Sequence, residues 1–144
     1  MKALERWAGI AMINLGIVAV LGFVMRSKLL FPLPFINFKH TLHAHSHFAF
    51  SGWVSLALMA LLIFRLLPSK ASDRPVYKWI LTGIFLNALG MLVSFLYQGY
   101  GLFSILFSCM HIILAVKFAV QLYNDVIKND LKETSSRFLL ASLI

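Results

Sequence analysis

The side chains of this chain best suited to chemistry are five histidines: His40, His43, His45, His47 and His111. Four of them fall within eight positions, in Lys39-His40-Thr41-Leu42-His43-Ala44-His45-Ser46-His47-Phe48. Imidazole is a common ligand for haem iron and suits copper and zinc as well. If this stretch opens a helix, its geometry sorts the four. His43 and His47 are four apart and share one face. His40 joins them if the helix reaches back that far, and His45 lies about 200° around from both. His40, His43 and His47 are therefore candidate ligands for a transition metal. One histidine here and one on a facing helix would instead grip a haem.

His111, in Cys109-Met110-His111-Ile112-Ile113, is the one partner the chain offers for such a pair. It lies well inside an apolar run, about nine residues from its start, or roughly 14 Å deep. His47 is four to six residues into its own helix, roughly 6–9 Å. A tilt, or an earlier start of that helix, has to close the gap, and His47 is a better match than His43 or His45. Thr41, Ser46 and Ser51 are candidate hydrogen-bond partners for the ligands. Each histidine also has a structural reading. His40 suits a solvated membrane surface, His45 a bond to a neighbouring helix or lipid headgroup, and His111 a bond to a backbone carbonyl or serine.

Other chemistries find little support. Cys109 is the single cysteine, so no intrachain disulfide and no cysteine-built zinc or iron–sulfur site can form. Its apolar neighbours give it a packing role. The five acids all lie outside the apolar runs, which leaves no intramembrane carboxylate pair. No glycine-rich phosphate loop and no nucleophile–base set can be placed.

The elements that must position the histidines are membrane spans. Of 144 residues, 60% are hydrophobic and only 12% charged, with a mean hydropathy of +0.86. A soluble core of this size cannot hide so much apolar surface, whereas lipid solvates it directly. The expected fold is all-α: one polytopic domain over residues 1–144, with four transmembrane helices near 7–25, 43–67, 79–97 and 102–123. The first run is too long for a signal-peptide core and lacks a small-x-small cleavage site. Asn14 within it is expected to face another helix. Pro32 and Pro34 break the connector after it, and Pro68 closes the second span. Gly83, Asn87, Gly90 and Ser94 form a small or polar stripe suited to close helix approach. Lys117 is expected to snorkel to the interface. The run Phe138 to Ile144 turns apolar again after a polar stretch. It reads as the first two turns of a truncated fifth helix, with an amphipathic surface tail as the alternative.

The net charge of +8 sits at the ends of the apolar runs, so it reads as topology and lipid contact, with no basic patch for nucleic acid. Lys2, Arg6, Arg65, Lys70, Arg74, Lys78, Lys128, Lys132 and Arg137 would share one side, against Arg26, Lys28 and Lys39 on the other. The N-terminus is thus expected in the cytoplasm and the histidine-rich end of helix two outside.

The stretch His43-Ala44-His45-Ser46-His47-Phe48-Ala49-Phe50-Ser51-Gly52-Trp53-Val54 resembles the start of helix two in proteins related to haem-copper oxidase subunit I. The chain is more closely similar to the N-terminal part of large bacterial membrane proteins in that neighbourhood. That likeness takes in Gln98-Gly99-Tyr100-Gly101-Leu102-Phe103-Ser104 and the tail from Phe138. More loosely, the chain looks like short four-helix membrane proteins with a histidine on helix four. The resemblance implies a bacterial inner-membrane protein that binds haem, of b type, near the outer face, with His45 or His47 as axial ligand. It implies electron transfer or redox sensing, with a donor protein or quinone as partner and a homo-oligomer as one form of assembly. Oxidase chemistry would need further helices or subunits, because the later ligands of those enzymes have no counterpart here unless His111 substitutes. A copper- or zinc-binding or transport module, and an inactive fragment of a larger oxidase-like protein, stand as the alternatives.

Overall fold

The computed structural model describes residues 2–129 and consists of helices joined by short turns. Four stretches are long and apolar enough to cross a bilayer: Ala3–Leu30, Phe38–Leu66, Pro75–Gln98 and Leu102–Lys128. The expected all-α polytopic architecture is therefore present. The expected run at 138–144 lies outside the described residues.

Helix α1 spans Lys2–Leu30. The connector that follows is pinned by Lys28, whose ammonium donates to the carbonyls of Leu33 (2.8 Å) and Ile36. Asn37 then caps the second span, its side chain accepting from the amide of His40 at 3.2 Å. This span comprises α2 (Phe38–Phe48), a π-helical segment (Ala49–Ser55) and α3 (Leu56–Leu66). It begins five residues before the expected start at 43, because the Asn37 cap satisfies the first amides where hydrophobicity alone gives no signal.

Two polar contacts act on the π segment, one of them from α1. Ser51 donates its hydroxyl to the carbonyl of His47 at 2.7 Å, and Asn14 of α1 donates its amide to the carbonyl of Gly52 at 2.5 Å. Insertion of polar groups into the backbone ladder widens a helical turn in this way. Gly52 has no room for a side chain there, since a Cβ would lie 2.7 Å from the Phe48 ring.

Leu67 is extended ahead of Pro68 and ends the span. A single turn, α4 (Ser69–Ser72), leads to α5 (Pro75–Gln98), which starts on its proline. Gly99, at φ 63°, terminates α5 in the left-handed region. The turn to α6 (Leu102–Lys128) is tied by Ser104, which accepts from the amide of Gly101 (2.8 Å) and donates to the carbonyl of Gly99 (2.7 Å).

The helices form a row in which α1 packs on the second span, the second span on α5, and α5 on α6. The two inner spans bury 39% of their most apolar stretch, against 17% for α1 and 11% for α6. The α5–α6 seam uses the predicted stripe. Gly90 receives the ring of Phe107, Gly83 lies against Leu114, and Asn87 donates to the carbonyl of Phe107 at 3.0 Å. Cys109, for which a packing role is expected, is exposed on α6.

Candidate functional site

The face of α2 that carries His40, His43 and His47 turns toward the end of α5 and the turn beyond it. The ring of His40 rests on Gly99, where a Cβ would come within 2.7 Å of it. His43 meets Tyr100 edge-on, with ring centroids 4.5 Å apart. His47 stacks on Phe95 at 4.2 Å and 17°, and its Nε2 shares a hydrogen bond of 3.0 Å with the Tyr100 hydroxyl. Phe95 is fully buried, whereas Tyr100 is exposed. Two polar atoms in this cluster are buried without partners among the described residues, Nε2 of His43 and Nε2 of Gln98.

The shared face of His43 and His47 was readable from their spacing. Phe95 and Tyr100 were not singled out. The available signal was an aromatic residue between two glycines in the shortest turn, at the same end of the bundle as the histidines.

His45 points the other way, to α1. Its Nδ1 lies 3.1 Å from the carbonyl oxygen of Val18. Gly22 faces the ring, and a Cβ there would stand in ordinary contact with the imidazole Cε1, at 3.4 Å. A carbonyl only accepts, so Nδ1 carries the proton, and in the neutral ring Nε2 carries the lone pair. No described residue bonds that Nε2.

His111 is set apart from the other four. Phe107 lies beside Gly90 and Leu114 beside Gly83, so His111 is level with about residue 87 of α5. That is roughly two turns, or about 12 Å, below Phe95 and the ring of His47. Helix α5 also stands between α6 and the second span. Nδ1 of His111 is buried without a partner among the described residues, so it lacks there the carbonyl or serine bond considered for it. Among the described residues the hydroxyls of Thr41, Ser46 and Ser51 make no bond to a histidine ring. They donate to the carbonyls four residues back, Asn37 (2.9 Å), Leu42 (2.9 Å) and His47 (2.7 Å). This local bond is the ordinary alternative for a hydroxyl within a helix.

A second polar cluster occupies the opposite end. Asp125 is buried and accepts from Arg74 (2.5 Å), from the Tyr77 hydroxyl (2.9 Å) and from the Gln121 amide (2.9 Å). The apolar run ends near Tyr123, but α6 continues to Lys128. An acid that reads as part of a polar loop is thereby folded against the start of α5.

No family model matches the chain, and neither a curated protein nor a solved structure matches it.

Two cofactor arrangements can be tested on this geometry. Among the described residues, no group of three or more His, Cys, Asp or Glu side chains is placed to hold a metal ion. Phe95 and Tyr100 lie against the rings of His43 and His47, and His40 is turned onto Gly99. The His47–His111 pair does not fit a haem clamped within one chain, because the two differ in depth and have α5 between them. His45 alone has the bond pattern of an axial ligand. Its Nδ1–H is fixed on a backbone carbonyl and its Nε2 lone pair is unused.

Proposed function

We propose that this protein is a membrane haem-binding protein of electron transfer or redox sensing, with His45 as an axial ligand. One observation carries the reading: the bond from His45 Nδ1 to the Val18 carbonyl, which leaves Nε2 as the ligating nitrogen. Ligating histidines nearly always donate their other N–H to a carbonyl, carboxylate or water, which sets tautomer and ring orientation. The likeness of the His43–Val54 stretch to haem-copper oxidase subunit I supports the same assignment. Haem, when bound, supplies a one-electron iron couple whose potential follows its ligands and surroundings. The chain has one cysteine and so no thiol pair for covalent attachment, in keeping with a b-type group. The other axial ligand comes from a further helix, a subunit or a second copy.

The excess of Lys and Arg at the N-terminal end of the bundle supports a cytoplasmic N-terminus in a bacterial inner membrane. The His45 end then faces outward.

The test is the absorption spectrum of the protein purified from haem-replete membranes. A Soret band is expected in the unmutated protein and in His47→Ala, and its loss in His45→Ala. A band that survives His45→Ala, or a colourless protein throughout, overturns the assignment. Colourless protein carrying copper or zinc would favour a metal-binding module, the reading that the unpartnered Nε2 of His43 favours.

A further inference from the structure

We infer that the cleft between α1 and α5, at the end of the bundle that carries the N-terminus, binds the phosphodiester headgroup of an anionic phospholipid. The inference is independent of the haem assignment. The cleft has a volume of about 270 Å³ and is lined by Arg6, Trp7 and Ile10 of α1, Phe64 of α3, and Lys78 and Thr82 of α5. Its two walls each present one cation, Arg6 and Lys78, at the level where the apolar spans begin. Neither cation forms an ion pair among the described residues; the ion pair found there is Arg74 with Asp125.

The acids of this end among the described residues lie elsewhere. Glu5 and Asp73 line a neighbouring cavity together with Arg65, and Asp125 is enclosed by its own partners. Among the described residues the charged groups of the cleft are thus cations only, beside a cavity of mixed charge. A phosphodiester also needs donors and a way to place its chains. Thr82 is one turn from Lys78 on the same face, and the Trp7 indole is suited to the headgroup level. Ile10 and Phe64 give the cleft an apolar lower wall along which acyl chains can descend. Guanidinium and ammonium on opposing walls match a single bridging phosphate better than a mobile surface charge does.

The experiment is native mass spectrometry of the protein released from nanodiscs of equal phosphatidylglycerol and phosphatidylcholine. The unmutated protein should retain phosphatidylglycerol, one molecule per chain, in preference to phosphatidylcholine. Arg6→Gln with Lys78→Gln should abolish that preference, because both charged donors to the phosphate are removed. Lys70→Gln with Lys128→Gln removes the same charge from exposed positions at the same end and should leave retention unchanged. Equal loss in the two double variants would show diffuse attraction and overturn the site. Equal retention of both lipids by the unmutated protein would do so without reference to any variant. Displacement of the lipid by inorganic phosphate alone would assign the cleft to free phosphate instead.

Discussion

At the scale of single residues, the chemistry of the imidazoles is decided by what each nitrogen touches. His43 and His47 share a face but differ in partners, with Nε2 of His47 held by the Tyr100 hydroxyl and Nε2 of His43 held by no described residue. His45 is set by one carbonyl, and its ring lies beside Gly22 with room for a methyl but not for a branched side chain. Gly22→Val should therefore crowd the ring off the Val18 carbonyl and lower haem content per protein, although no ligand is removed. Pyridine-haemochrome quantitation reads that effect, and unchanged haem content would argue against the role of the Val18 bond. Asp125 gives a second contrast. Asp125→Ala strands Tyr77 and Gln121 and should cost about 1–3 kcal/mol in detergent unfolding. Arg74→Gln should cost less than about 1 kcal/mol, because the Arg74 side chain is 45% exposed and its pair is screened. Spacing revealed which histidines share a face. It carried no information about their partners, which come from α1, α5 and the turn after α5.

At the scale of elements, the four spans follow from hydrophobic runs, and their ends follow from caps and prolines. The π segment is the exception. It depends on Asn14 reaching 38 residues along the chain to the Gly52 carbonyl. The polar residue was conspicuous in its apolar run, but its target was not. Asn14→Leu should cost about 0.6–1.7 kcal/mol, the range of hydrogen bonds between membrane helices. It should also return the 49–55 stretch toward α-helical exchange behaviour, readable by hydrogen exchange in micelles. The α5–α6 seam makes a steric prediction. Gly90→Ala places a methyl 2.5 Å from the Phe107 ring and should cost about 1–3 kcal/mol. Gly16→Ala meets no atom within 4 Å and should be neutral or stabilising. Equal melting temperatures for the two variants would refute the close approach of α5 and α6.

At the scale of the whole molecule, the sequence by itself determined the solvent and the architecture. A chain with 60% hydrophobic and 12% charged residues must keep its backbone bonds internal and its surface in lipid, and helices across a bilayer satisfy both demands. Those are sums over many residues, so they survive errors at any one position. The row order of the helices was decided only by the tertiary structure, and that order puts α5 between His111 and the other four histidines. So were the burial of Asp125 and the meeting of Arg6 with Lys78 across a cleft. The physical reason is that each depends on one side chain meeting another from a distant part of the chain. Such meetings are fixed by the packing of whole helices, and no local pattern of residues encodes them.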